Sequence, residues 1–254
     1  MDTETIPTGE TREWGVALRA VRKLLGNPDD TTQVFIIMRA LNAGEAPKNF
    51  RKLMQTSEGP RLAYERVELA SERFSDPAWL AQFAHGTVGA AYRGFLESTG
   101  FTAQGLADIS NLEKREDLQA HPYAWLGRRT RDVHDIWHVL TGYSANEPGG
   151  EAGLVAFSYA QTGGLGWAAI ALGAALRGAS ALKSLEVPAM IWEGYRNGRH
   201  AKWLLAEDYE ALFAEPIEAA RTRLKIRTPE RYMALRERMA DFLRAQPAMA
   251  VSAE

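Results

Sequence analysis

Apolar side chains recur at intervals of three or four residues along nearly the whole chain. The segment WGVALRAVRKLL, which starts at Trp14, shows this spacing, and so does QVFIIMRAL, which starts at Gln33. Such spacing places the apolar residues on one face of an α-helix. No run alternates apolar and polar residues with the β-branched enrichment that is typical of strands. We therefore expect an all-α protein, a single-domain multi-helix bundle with almost no sheet.

The length and composition favour one large folded domain. With 254 residues, of which 46% are hydrophobic and 24% charged, the chain is near the upper size of a single domain and too apolar to be disordered. We expect a flexible polar N-terminus over residues 1–13, a helical domain over 14–245 and a flexible C-terminus over 246–254.

Helix boundaries follow from the apolar period and from its interruptions by glycine and proline. Gly44 and Pro47 predict a stop after the second helix, and one helix is expected to carry the apolar series from Trp125 to Leu140. Further helices are expected over 60–73, 163–183, 186–197, 206–223 and 229–244.

Charge and amino-acid usage exclude several classes of function. Thirty basic residues against thirty-two acidic ones leave a net charge of −2, so nucleic acid is not expected as a partner. Cysteine is absent, which excludes disulfides, thiolate metal sites and cysteine nucleophiles. The N-terminus lacks the cationic start and apolar stretch of a secretory signal, so a cytoplasmic setting is expected.

Two histidines four residues apart point to a metal site. In HDIWH, His134 and His138 lie on one face of a helix, and Asp135 lies in the same sector, where it can bind a metal or orient an imidazole. Glu151 follows a Pro-Gly-Gly turn and begins the next helix, so it can fold back onto the pair. Histidine pairs at this spacing form a two-nitrogen clamp for divalent metals. Asp132 and Glu147 are competing carboxylates nearby.

The string HDIWHVLTGYSANEPGGE, with RRTRD before it and AFSYAQTG after it, resembles the signature of the ubiquinone (coenzyme Q) biosynthesis protein Coq-four family. The segments GTVGAAYRGFL and IWEGYRNGRHAKWLL also look like parts of that family. The family pattern places about eleven residues between HDxxH and a glutamate. Here there are twelve, which leaves Glu147 as an alternative, but the Gly-Glu step followed by an apolar helix favours Glu151.

The resemblance implies a metal site and a reaction. His134, Asp135, His138 and Glu151 match the family's metal ligands, usually described as zinc, although two nitrogens and two carboxylates also suit Fe(II), Mn(II) or Co(II). The implied function is removal of the carboxylate at ring carbon one of a polyprenylated 4-hydroxybenzoate, alone or coupled to hydroxylation of that carbon. The coupled reaction needs a redox-active metal, which zinc is not.

Binding of an apolar lipid is the next expectation. The Gly- and Ala-rich run over 163–182 could receive a polyprenyl chain or form a homodimer contact, because small residues allow close approach to the backbone. The weakly polar part of this run has 14 residues before Arg177, which are too few to span a bilayer. The family implies peripheral association with the inner membrane and contact with other ubiquinone-biosynthesis proteins. Among the basic residues, Arg129 and Arg131 are expected beside the substrate, and Arg196, Arg199, His200 and Lys202 form a second basic cluster.

Two other functions remain alternatives. The chain could be a non-catalytic polyprenyl-lipid scaffold that organises the ubiquinone-biosynthesis enzymes around a structural metal. It could also be a metal phosphohydrolase, which would need His85 or His121 and Asp208 to join the His-Asp pair.

Overall fold

A computed structural model of the chain describes residues 11–27, 30–100 and 121–245. Within these ranges the chain forms fourteen α-helices and no β-strand, which confirms the all-α prediction. Helix α1 begins at Trp14, where the helical domain was expected to start; most of the expected flexible N-terminus and all of the C-terminus lie outside the described residues. The helices are α1 (Trp14–Gly26), α2 (Thr31–Leu41), α3 (Glu45–Leu53), α4 (Gly59–Glu65), α5 (Pro77–Ala81), α6 (Val88–Thr99), α7 (Pro122–Asp132), α8 (His134–Thr141), α9 (Pro148–Thr162), α10 (Leu165–Leu182), α11 (Glu186–His200), α12 (Tyr209–Phe213), α13 (Ile217–Leu224) and α14 (Glu230–Ala245).

Helix α9 is the centre of the fold. Residues on all of its faces are buried, including Leu154, Phe157 and Ser158, because α8, α10, α11 and α14 pack around it. A helix that is apolar all round is typical of the core of a larger protein. The neighbouring aromatic cluster brings Phe74 into a parallel stack with Phe213, at 5.2 Å between ring centroids. These contacts hold α9 as a fixed platform for side chains on its first turn.

Three expected helices have different limits in the structure. The expected helix over 60–73 ends as α4 at Glu65, because Arg66 adopts a left-handed conformation, and a short π-helix follows at Ala70–Phe74. The expected helix over 206–223 is divided into a 3-10 turn (Leu204–Ala206), α12 and α13. The division occurs at Pro216, because the backbone on either side of this residue forms hydrogen bonds with residues 86 and 88 instead of continuing a helix.

The helix expected from Trp125 to Leu140 is interrupted at Val133. The change of direction buries Trp125 in one cluster and Trp137 in another, and it makes His134 the first residue of α8. The stop predicted after the second helix is observed, because α2 ends at Leu41 and Gly44 follows in a left-handed conformation, but Pro47 lies inside the next helix. Helix α3 begins at Glu45, and proline is tolerated in a first turn because its missing N–H has no partner there.

Helix α10 is apolar and only partly buried. It continues past Arg177 to Leu182, so by length and composition alone it could cross a membrane. Less than a quarter of it is buried in the protein. Leu172 and Leu176 are each 61% exposed, and Leu185 just after the helix is also exposed. The opposite face packs against α1, α2, α9 and α11. The segment therefore presents one apolar face outward and one inward.

Candidate metal centre

The two histidines and one glutamate converge where α8 begins beside the first turn of α9. His134 and His138 lie one turn apart on α8, and Glu151 lies in the first turn of α9. Glu151 Oε1 is 3.2 Å from His138 Nε2, and Glu151 Oε2 is 3.8 Å from His134 Nε2. One ligand atom from each of the three residues lies within 4.8 Å of the others. This is the spacing expected of side chains that share one cation.

Glycines on both sides of the turn bring Glu151 to this position. Gly142 ends α8 with a φ of 81°, which reverses the chain toward α9. At Gly150 a Cβ would lie only 2.0 Å from the carbonyl oxygen of Ser144, so only glycine lets the first turn of α9 approach this backbone. The Pro-Gly-Gly sequence thus fixes the position of the acidic residue that follows it.

His138 is oriented by the backbone that leaves α8. Its Nδ1 lies 2.8 Å from the carbonyl oxygen of Tyr143, so Nδ1–H donates to that oxygen and the buried Nε2 faces Glu151 Oε1 at 3.2 Å. Burial lowers the pKa of His138, but the hydrogen bond and the attraction of Glu151 outweigh it, so without a metal Nε2 shares a proton with Glu151. A divalent metal would take the place of that proton and bind the lone pair of Nε2.

The ionisation of the cluster favours a bound cation. Burial alone would raise the pKa of Glu151, but hydrogen bonds from His134 and His138 outweigh it and hold that pKa well below its usual value. Burial raises the pKa of Asp135, and the attraction of the two histidines offsets only part of this effect. The cluster therefore holds one carboxylate that stays ionised and a second carboxyl group that is costly to ionise without a positive charge nearby.

The other predicted carboxylates have separate places. Asp135 is buried on α8 beside the histidines, but it is not in the group of three whose ligand atoms share one position. Glu147 accepts hydrogen bonds from Tyr232 at 2.8 Å and Arg236 at 2.7 Å, and these partners tie α9 to α14. Asp132 binds the backbone N–H of Ala70 and the side chain of Arg131. Of the two candidate glutamates, the structure brings Glu151 to the histidines.

The two arginines predicted beside the substrate make contacts within the fold. Arg129 is only 3% exposed and donates to the carbonyl oxygens of Leu205 at 3.4 Å and Glu207 at 2.5 Å. Arg131 pairs with Asp132 at 2.7 Å. The contacts of both arginines are therefore with other parts of the protein. Contact of either arginine with a substrate stays a prediction.

Two aromatic residues beside the histidines were not predicted. The indole of Trp167 on α10 stacks on His134, with ring centroids 5.4 Å apart, and Phe95 on α6 stacks on His138 at 5.8 Å. Nδ1 of His134 and Nε1 of Trp167 are buried without a hydrogen-bond partner. No spacing in the sequence links these positions, because α6 and α10 reach the site only through tertiary packing.

The residues needed for a phosphohydrolase lie elsewhere. His121 caps the start of α7 by accepting from the N–H of Tyr123, and Asp208 caps α12 and pairs with Arg61 at 2.5 Å. His85 is exposed in the loop before α6. None of the three belongs to the group of possible metal ligands found among the described residues.

Comparison with known proteins identifies the family. The sequence pattern of the family described as "Coenzyme Q (ubiquinone) biosynthesis protein Coq4" matches residues 3–230, which is most of the chain. The chain belongs to the Coq4 family. It is 26% identical over 225 residues to the mitochondrial ubiquinone biosynthesis protein COQ4 homolog of Danio rerio, covering 88% of this chain and 80% of that protein. The resemblance drawn from HDIWHVLTGYSANEPGGE is thus confirmed.

Other relatives of this Coq4-family chain agree. A mitochondrial COQ4 homolog of Nematostella vectensis is 28% identical over 152 residues, covering 58% of this chain and 68% of that protein. The crystal structure of a protein from Nostoc punctiforme PCC 73102 has the same fold, with a TM-score of 0.62 and 23% identity, over 84% of this chain and 98% of that one. The chain is therefore a ubiquinone-biosynthesis protein by family.

Proposed function

We propose that this chain binds one divalent metal through His134, His138 and Glu151 and removes the ring carboxylate of a polyprenylated 4-hydroxybenzoate. The observation that supports this most is the cluster of two imidazoles and one carboxylate, with His138 buried and the rings of Trp167 and Phe95 stacked on the imidazoles. Two imidazoles and one carboxylate leave a coordination position for substrate, as in zinc hydrolases, and the same donors suit Fe(II), Mn(II) and Co(II). Asp135, the fourth ligand that the resemblance implies, is buried next to His134 on α8, where its charge would stabilise the imidazoles and the bound cation.

A bound divalent cation would supply Lewis-acid stabilisation of negative charge on a carboxylate or phenolate oxygen. The chain itself would hold the ring. With Nε2 of His134 directed at the metal, its Nδ1 carries a proton, and together with Nε1 of Trp167 it offers two buried N–H donors that lack protein acceptors. Oxygen atoms of the substrate would satisfy them. The bond between ring carbon one and the carboxylate carbon would then break, carbon dioxide would leave, and the electron pair left on the ring carbon would take up a proton from water.

The apolar tail of the substrate would lie along α10. Trp167 stands at the site, and the exposed Leu172 and Leu176 lie further along the same helix. These leucines and the nearby cations Arg177 and Lys183 fit peripheral association with an anionic membrane, in which apolar side chains enter the bilayer surface. Leu172→Gln/Leu176→Gln should reduce flotation with anionic vesicles. If the double variant instead only turns a homodimer into a monomer, the face is a subunit contact.

The decisive experiment is turnover by purified protein loaded with each metal in turn. Polyprenyl hydroxybenzoate should lose its carboxylate with wild type but not with His138→Ala. The control Glu147→Gln should keep this activity, because Glu147 does not contact the metal-ligand cluster. Omitting oxygen separates simple from oxidative decarboxylation, because only the oxidative reaction consumes it. No turnover with any metal, with or without oxygen, would refute the enzymatic proposal.

The alternative is a scaffold that carries polyprenyl lipid to other ubiquinone-biosynthesis proteins, with a structural metal. This alternative predicts that His138→Ala lowers thermal stability and partner binding together. The enzymatic proposal predicts that the variant loses turnover while it still binds the partner proteins as tightly as wild type. Measuring both quantities on the same preparations therefore distinguishes the two functions.

A further inference from the structure

Four cations gather around the junction of α3, α11 and the turn between α9 and α10. Lys48 and Lys52 lie one helical turn apart on α3, Arg199 lies in the last turn of α11, and Arg12 lines the same cleft as Lys48. We call these four residues the cationic cluster. Within the described part of the chain, none of the four has a carboxylate within ion-pair distance. The cluster shares no residue with the candidate metal centre.

Several arginines elsewhere in this protein have carboxylate partners. Arg128 pairs with Glu68 at 2.6 Å, and Arg223 pairs with Glu215 and Glu207, each at 2.8 Å. In the cationic cluster, by contrast, burial and then repulsion by Lys48 and Arg199 lower the pKa of Lys52. Like charges held together without a counter-ion carry an electrostatic cost that a bound anion would remove.

The nearest acidic group does not neutralise the cluster. Glu45 faces Lys48 across the cleft, but burial raises its pKa to about 7, despite a hydrogen bond from Thr162 and the attraction of Lys48. Its Oε2 is buried without a hydrogen-bond partner. Near neutral pH this carboxyl group therefore carries only part of a negative charge and can donate a hydrogen bond when protonated.

The fold holds part of this cluster in place. The ammonium group of Lys52 lies 4.1 Å from the ring centroid of Trp203, and the indole N–H of Trp203 donates to the carbonyl oxygen of Gln161 at 2.9 Å. The cleft beside Lys48 has a volume of about 70 Å³ and is walled by Asn42 and the Gly163–Gly164 backbone. Lys48 and Arg12 line this cleft, and a small polar cleft with two cations suits a compact anion better than an extended apolar group.

We propose that the cationic cluster binds a phosphate group, through Lys48, Lys52 and Arg199 with Arg12 at the rim of the cleft. Phosphate offers several strong acceptor oxygens and up to two negative charges, so it can be shared by several lysine and arginine side chains. The same chemistry is presented by a phosphorylated small molecule and by the headgroup of an anionic phospholipid.

The test is a titration of the full chain with inorganic phosphate at fixed ionic strength, followed by 1H–15N NMR of the indole groups. The Trp203 resonance reports on the cluster, and the Trp167 resonance reports on the metal centre. We expect Trp203 to shift saturably in wild type and the affinity to fall at least tenfold in Lys48→Gln/Lys52→Gln. The control Arg227→Gln/Arg231→Gln removes two exposed cations elsewhere and should change affinity less than twofold.

Flotation with vesicles identifies the source of the phosphate. The cluster binds a lipid headgroup if wild type binds phosphatidic acid vesicles but not free phosphate, and if Lys48→Gln/Lys52→Gln loses this binding while the control double variant keeps it. Shifts with free phosphate assign it to a soluble ligand. The proposal is overturned if wild type binds neither probe, if the two double variants lose binding equally, or if only Trp167 responds. Circular dichroism of each variant establishes that it is folded.

Discussion

Replacing Glu45 by glutamine should stabilise this protein at high pH and leave it almost unchanged at low pH. The carboxyl group is buried against the turn between α9 and α10, where its Oε2 and Asn42 Oδ1 both lie within 3 Å of the place that a Cβ would occupy on Gly164. Its Oε2 has no hydrogen-bond partner in the protein that would stabilise the charge. Glutamine keeps the shape and hydrogen-bonding ability of the protonated acid but never ionises.

The magnitude follows from the pKa. Burial raises the pKa of Glu45 from 4.5 to about 7. As the pH rises from 4.5 to 7, the unfolded chain releases this proton first, so the folded state loses stability, and above the folded pKa the loss is complete. At about 1.4 kcal/mol for each pKa unit, the total is about 3 kcal/mol, reduced somewhat because an ionised Glu45 would favour the start of α3.

The assay is urea unfolding of wild type and Glu45→Gln between pH 4 and pH 9, with the difference in unfolding free energy plotted against pH. The difference should be near zero at the acid end, increase in favour of Glu45→Gln through the interval from 4.5 to 7, and then level off. Subtraction removes titrations that the two proteins share. The exposed Glu97→Gln serves as a control and should give a flat, small difference. A flat difference for Glu45→Gln, or a wild type that is more stable at pH 8, would refute this argument.

Two further predictions concern helix packing and the metal. Gly194→Ala should destabilise the fold by about 1–3 kcal/mol or more in urea unfolding, because a Cβ there would lie 2.3 Å from the carbonyl oxygen of Gly153, where α11 crosses α9. The control Gly94→Ala, at an open position of α6, should stabilise the fold slightly. Equal effects of the two substitutions would contradict the close contact. A divalent metal at one hundred times its dissociation constant should stabilise wild type by about 2.7 kcal/mol, and a chelator should reverse this effect. In thermal-shift measurements, His138→Ala should lose the metal-dependent increase. A metal-dependent increase in His138→Ala equal to that of wild type would place the metal elsewhere.

The sequence by itself determined the fold class, the family and the main elements of the candidate site. Helical periodicity is a local property, so the apolar spacing predicted an all-α chain, and the i, i+4 spacing placed His134 and His138 on one face. The Pro-Gly-Gly turn before Glu151 pointed to a returning helix in the same way. These features depend on neighbours within one or two turns, and for that reason they could be read without coordinates.

Tertiary structure alone decided the rest. The choice between Glu147 and Glu151 depended on Tyr232 and Arg236 of α14, which bind Glu147 just before the start of α9. The stacking of Trp167 on His134 and the assembly of the cationic cluster likewise join residues that are distant along the chain. Local spacing carries no information about which distant helix packs against which, because that choice is made by the burial of whole helix faces in a shared core.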